Sequence, residues 1–271
     1  MKFNEFTEIT SLADDDILLV QEASTLAIKK VKALVLKQYI GVGSIPPSTV
    51  NPIAGYAKWY RSDSVTLSGN QVVAWIDKSP STNNLVAIST KPTLISNAIN
   101  SKDAVLFNTS PMATQPESYA AKAIYVVFKN NNSTFSNYNA YVCYRPSSSN
   151  LTPISNELNI VSGSISKNNI YGEQATNAYL DNVAIYSSNY ANYDVGVPIG
   201  TVGQFHLIEN INTNSSVGVK TLCFGADSYA YDRSLVNTEI AEVIIYPFVL
   251  TAEQRTAMNN YFKQMYNFSF L

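Results

Sequence analysis

The sequence predicts a mainly β fold, a two-sheet sandwich closed by one short C-terminal helix. Three observations carry this. First, short runs rich in Val, Ile and Tyr recur between Asn/Ser turns, which is the punctuation of a sandwich. Second, only 14% of residues are charged, while 18 tyrosines stand against 2 tryptophans and 11 glycines. Uncharged polar residues alternating with Tyr, Val and Ile suit sheets with one buried and one solvated face. Third, residues 240–246 read as a strand, Pro247 breaks the pairing, and Thr251 opens a helix. Gln254 stands three residues after Thr251, completing a capping box. Met258, Tyr261, Phe262, Met265 and Tyr266 then fall at helical spacing and define one apolar face.

Element by element, residues 1–45 differ from the rest. Asp14, Asp15 and Asp16 lead into a strand at 17–21, a turn follows at 22–25, and residues 26–30 return as a second strand. Residues 32–40 are compatible with a helix, and Ile45, Pro46, Pro47, Ser48 and Thr49 read as an extended linker. A hairpin and one short helix bury too little surface to fold alone, so this segment is expected to dock on trimer mates or on another protein. The Asp triplet reads as a solvated turn with cap character.

From residue 52 the β domain begins, within a second domain drawn as 46–271. Further strands are expected at 123–128, 138–144, 178–187 and 204–211. The Asn-rich tracts at 129–139 and 147–150 read as exposed loops.

Charge and composition exclude several functions. The formal net charge is −2 and no basic face is visible beyond Lys29, Lys30 and Lys32, which disfavours nucleic-acid binding. No apolar run approaches the roughly 20 residues of a membrane helix. The polar start, Met1 to Glu5, is unlike a signal peptide, so folding in a cytoplasm without secretion is expected. Cys143 and Cys223 sit in apolar strand-like runs and read as buried free thiols.

Catalytic constellations are sparse. Retaining glycoside hydrolysis needs two carboxyls about 5 Å apart. Glu157, Glu173 and Glu209 stand alone, and strand alternation points Glu239 and Glu242 to opposite faces. The single histidine, His206, reads as a packed or surface residue, and no metal-ligand spacing involves it. Asp63 and Asp77 are weak calcium candidates, set against a role capping the turns of the Trp-bearing strands. Tyrosine carries the strongest binding signal, because aromatic faces pack on sugars while Asn and Ser supply hydrogen bonds. The sharpest segment holds Tyr186, Tyr190, Tyr193 and Asp194, and the second holds Tyr229 and Tyr231.

Two resemblances add to this reading. Tyr246-x-x-x-Leu250, Thr251-x-Glu253 and the closing Lys263-x-x-Tyr266 resemble the end of concanavalin A-like lectin/glucanase (laminin-G-like) jelly rolls. Trp59-x-x-x-Asp63, Val72-x-x-Trp75-x-Asp77-x-Ser79, Lys91 to Leu94 and Asp103 to Asn108 resemble its beginning. Where that family shows Phe-Asp-Gly, this chain has Phe107, Asn108 and Thr109. The stretch from Glu8 to Tyr39, with Ile9, Thr10, Leu12, Ala13, the Asp triplet and Leu18, Leu19, Val20, resembles N-terminal attachment modules of bacteriophage tail fibres. Together they imply a homotrimeric virion appendage, assembled in the host cytoplasm, that joins other virion proteins through residues 1–45 and binds host glycans through a non-enzymatic lectin-like domain. No cofactor is expected, with calcium the one candidate. The rival expectations are a non-binding head fibre or capsid decoration, and a glycan depolymerase.

Overall fold

Residues Ile17–Gln21 (β1) and Ile28–Lys32 (β2) form an antiparallel hairpin, with Ile17 opposite Lys32 and Gln21 opposite Ile28. This is the expected pair of strands, with the first two residues of the second pattern, 26 and 27, outside the described residues. In this computed structural model the chain divides into two units, Met1–Asn51 and Pro52–Leu271. Described are residues 17–21, 28–32, 51–132, 140–145, 159–162, 169–173, 176–187, 197–198, 202–213, 215, 217–225 and 235–271. The Asp14, Asp15, Asp16 turn and the helix-compatible stretch after Lys32 lie outside them.

The second unit is mainly β, as expected, with one helix among its described residues. Its strands are β3 (Lys58–Ser68), β4 (Gln71–Asp77), β5 (Leu85–Ala87), β6 (Thr93–Ile99), β7 (Lys102–Phe107), β8 (Met112–Ala113), β9 (Glu117–Tyr119) and β10 (Ala123–Asn130). There follow β11 (Ala140–Arg145), β12 (Asn159–Ser162), β13 (Asn169–Glu173), β14 (Asn177–Leu180), β15 (Val183–Ser187) and β16 (Val197–Pro198). The last three are β17 (Phe205–Ile211), β18 (Gly218–Phe224) and β19 (Thr238–Tyr246), before helix α1 (Ala252–Tyr266).

Pairings run in two series. One is β15–β14–β17–β10–β19; the other is β13–β12–β11–β18–β8–β5–β4. They join where β19, β3, β4, β6 and β7 close into a five-stranded barrel, completed by Gln71 opposite Thr93. One hydrophobic cluster draws on both series: Ile124, Val126, Phe128, Ile208, Val243 and Ile245 from the first, Trp75, Leu85, Met112, Val142, Leu222 and Phe224 from the second.

Strand β19 is buried at all nine positions. Its β-branched run suits a strand covered on one face by this core and on the other by α1. The helix forms as its sequence signals: Gln254 N–H donates to Thr251 Oγ1 (3.3 Å) and Thr251 N–H to Gln254 Oε1 (2.9 Å). It ends at Asn267 in the left-handed conformation, whose N–H donates to Lys263 O. The expected face of Met258, Tyr261, Phe262, Met265 and Tyr266 is the buried one.

Two departures have physical causes. The expected strand at 178–187 is a hairpin, because Asp181 and Asn182 both take positive φ (51° and 65°), the geometry of a primed two-residue turn. The second concerns the helix-bearing face of β19. Val127 pairs with Glu242 but Phe128 pairs with Ile240, so β19 holds one extra residue, Ala241. Val127 and Lys129 share a face, hence their partners Glu242 and Glu239 do too. The expected opposite facing of those two carboxylates is therefore overturned by the bulge.

Thr109 occupies the position where the family pattern has glycine and takes φ 54°. Its N–H donates to Leu235 O at 2.7 Å, which holds the loop end in place. Gly225 (φ 75°) lies so close to Phe107 that a Cβ would sit 2.5 Å from its Cδ1.

Candidate functional site

The register lays the helix-bearing face of the first sheet out in rows. Glu209, Tyr125, Ile244 and Trp59 form one, and Leu207, Val127, Glu242 and Arg61 the next. Phe205, Lys129, Glu239 and Leu106 form the outermost. The first two lie under α1 and do structural work.

In the first row Arg255 of α1 clamps Glu209 through Nε (2.9 and 3.0 Å) and Nη2 (2.6 Å), and Tyr125 donates its hydroxyl to the same carboxylate at 2.5 Å. The guanidinium lies 3.9 Å from the Tyr179 ring centre. Burial, then Glu209, raises the Tyr125 pKa, and the hydrogen bond that Arg255 donates to Glu209 raises that of Arg255. Glu209, isolated in the sequence, is thus the anchor of the helix.

In the second row Glu242 is fully buried. Its Oε1 accepts from Trp59 Nε1 (2.6 Å) and the Tyr261 hydroxyl (2.5 Å), and its Oε2 from the Tyr266 hydroxyl (2.9 Å). Desolvation raises the Glu242 pKa against the lowering effect of those donors and of Arg61. Burial and then Glu242 raise the pKa of Tyr261 and Tyr266.

The calcium candidates each have cationic partners. Asp77 Oδ1 accepts from the N–H groups of Trp59 and Ser79, and Oδ2 from Lys58, Ser81 and Asn83. Lys58, itself buried, also pairs with Glu117. Asp77 therefore holds the turn after β4. Asp63 sits in a bulge where residues 61–64 of β3 oppose Ile76, and it accepts from Arg61 (2.6 and 2.9 Å) and Lys78 (3.4 Å). Burial works against its ionisation, but Arg61 and Lys78 bring the Asp63 pKa down overall. Among the described residues no group of three or more His, Cys, Asp and Glu could hold a metal ion.

His206 is buried, and its Nδ1 lies 2.6 Å from Asp181 Oδ2, while Asp181 Oδ1 accepts from Leu207 N–H. The pair ties the β14–β15 turn to β17. Cys223 is buried, as expected, and stands opposite Cys143 where β11 pairs with β18. The side chain of Cys143 is outside the described residues, as are Glu157 and the side chain of Glu173.

The outermost row is different. Phe205, Lys129 and Leu106 are half-buried, whereas Glu239 is 6% exposed. Lys129 Nζ pairs with Glu239 Oε1 at 2.7 Å and lies 4.9 Å from the Phe205 ring centre. Asn131 Nδ2 donates to the same Oε1 at 3.0 Å. Glu239 Oε2 is buried with no hydrogen-bond partner among the described residues. Around this row lie amides fixed by the backbone: Asn132 Nδ2 donates to Val236 O (2.9 Å), Asn131 N–H to Asn237 O (3.1 Å), and Gly203 N–H to Asn130 O (2.8 Å). An aromatic ring, an ammonium, amides and a carboxylate with an open acceptor are the means by which proteins hold polar, hydroxyl-bearing ligands.

Of the tyrosines expected to bind, Tyr186 lies in β15 with its side chain outside the described residues, and Tyr190, Tyr193, Asp194, Tyr229 and Tyr231 lie outside them entirely. The segment carrying Tyr229 and Tyr231 leaves at Gly225 and returns at Leu235, whose N–H donates to Gly225 O at 3.0 Å. Residues 235–237 beyond it belong to the same asparagine-rich loop end. Sequence reasoning missed the Glu239 row because its members come from four strands. The one available signal was the Asn-rich tract at 129–139.

No protein-family model, curated protein or solved structure matches the chain.

Proposed function

We propose that this chain is a phage virion appendage, a tail-fibre or receptor-binding type of protein, whose second unit binds host surface glycans. The observation that carries the glycan reading is the outermost row with its neighbour Asn131: Phe205, Lys129 and a buried Glu239 oxygen that has no donor among the described residues. The virion reading rests on the resemblance of residues 8–39 to attachment modules. The finer fold proposed is a concanavalin A-like jelly roll, supported by two strand series packed on one core and a C-terminal helix on the outer face. The proposed assembly is a homotrimer joined to other virion proteins through residues 1–45. Weak single-site contacts then gain strength by multivalency.

The reading is of a binder rather than a hydrolase. Glu239 and Glu242 share a face, yet both oxygens of Glu242 are taken up by Trp59, Tyr261 and Tyr266 and the residue is fully buried. A general acid or nucleophile has to reach its substrate.

The test is binding of fluorescently labelled full-length protein, presented as a multimer, to a panel of bacterial surfaces. Saturable binding that soluble polysaccharide competes away supports the adhesin. No binding to any surface supports the non-binding head fibre or capsid decoration, and release of reducing ends from polysaccharide supports the depolymerase.

A further inference from the structure

We propose that Glu239 is the specificity-determining residue of a hydroxyl-binding subsite and that its ligand is an uncharged, hydroxyl-rich glycan unit. This rests on the glycan-binding reading above. Native proteins leave few buried polar atoms without a partner, and those they keep call for an explanation. Glu239 is more than nine-tenths buried, and one of its two oxygens is engaged twice while the other is engaged by none of the described residues.

The chemistry around that oxygen selects its partner. Lys129 and Asn131 both spend a donor on Oε1 and keep further N–H groups, since an ammonium has three and a carboxamide two. A ligand hydroxyl is complementary to this set, donating to Glu239 Oε2 while accepting from the remaining N–H groups. A uronate or sialate carboxylate would meet the Glu239 oxygen with like charge, and a cationic ligand would meet the Lys129 ammonium. An uncharged sugar meets neither. Phe205 and Leu106, half-buried at the two ends of the row, supply apolar contact for its C–H groups. Lys129 and Asn131 are the partly exposed residues on the carboxylate, and a ligand entering there reaches the buried Oε2 by displacing their side chains.

Immobilised full-length protein is tested against dextran and mannan, which are neutral, and hyaluronan and alginate, which carry uronates. Wild type is compared with Glu239→Gln and Asn131→Ala, each checked for an unchanged circular dichroism spectrum. Expected are binding to a neutral polymer over both uronates, and a fall of about 10-fold in Glu239→Gln, the loss of a charge-assisted hydrogen bond. Asn131→Ala, on the partly exposed side, falls by a smaller factor and keeps the test decisive if Glu239→Gln does not fold. Neutral binding unchanged in the folded variants, or preference for a uronate, overturns this inference and leaves glycan binding standing. Binding to none of the four polymers and to no bacterial surface overturns the glycan reading and this inference with it.

Discussion

Removing the Glu242 carboxylate should destabilise the second unit more than any other single deletion on its helix-bearing face. Glu242→Ala leaves three buried donors, Trp59 Nε1 and the hydroxyls of Tyr261 and Tyr266, without their acceptor. Each such orphan costs about 1–3 kcal/mol. The tyrosine hydroxyls can partly reorient, so the expected loss is about 3–5 kcal/mol, a large share of the 5–15 kcal/mol typical of a domain. Glu242→Gln behaves differently. Its amide oxygen can accept from Trp59 and Tyr261 while its NH₂ donates to Tyr266, so a change under about 1 kcal/mol is expected.

The pH dependence follows from the raised Glu242 pKa. A carboxyl whose folded-state pKa lies above its unfolded value of 4.5 contributes stability that is present below 4.5 and lost as pH rises through the folded value. Wild type should therefore lose stability relative to Glu242→Gln as pH rises from 4.5. Urea unfolding followed by tryptophan fluorescence reads both effects, because Trp59 is one of only two tryptophans and touches the carboxylate. A loss below about 1 kcal/mol in Glu242→Ala would show that the three donors do not depend on Glu242, and a difference between wild type and Gln that is flat with pH would show that burial does not raise the Glu242 pKa.

Three further outcomes are expected. Arg255→Ala strips the bidentate partner from Glu209 and should cost about 2–4 kcal/mol, and Tyr125→Phe should be non-additive with it in a double-mutant cycle; additivity would separate the two contacts. Gly225→Ala puts a Cβ against the Phe107 ring at positive φ and should cost about 2–3 kcal/mol in thermal unfolding, whereas an unchanged midpoint would mean the loop end adapts freely. Thr109→Gly relieves a left-handed threonine, a strain of about 1–2 kcal/mol set against the entropy glycine adds to the unfolded chain, so its midpoint should not fall.

What was legible in the sequence was local. The Thr251–Gln254 box, the helix face from Met258 to Tyr266 and the strand into Tyr246 depend on residues within a few positions of each other, and they appear as read. What failed depends on partners far along the chain. Alternation alone sends Glu239 and Glu242 to opposite faces, and only pairing with Val127 and Lys129 reveals the bulge that puts them on one. Glu209 looks solitary because its clamp, Arg255, lies 46 residues away. The Asp181–Asn182 turn carried a readable signal, since both residues tolerate positive φ, but Ala178 to Leu180 and Val183 to Ser187 have no glycine or proline between them to mark it. The Glu239 row is harder still, being assembled from β7, β10, β17 and β19.

The most direct measurement is binding of the full-length multimer to intact bacterial cells before and after mild periodate oxidation, with protease-treated cells in parallel. Periodate cleaves vicinal diols, so a glycan receptor should be lost on oxidation and survive proteolysis. Binding that survives periodate and disappears with protease would contradict glycan recognition and make the receptor a protein.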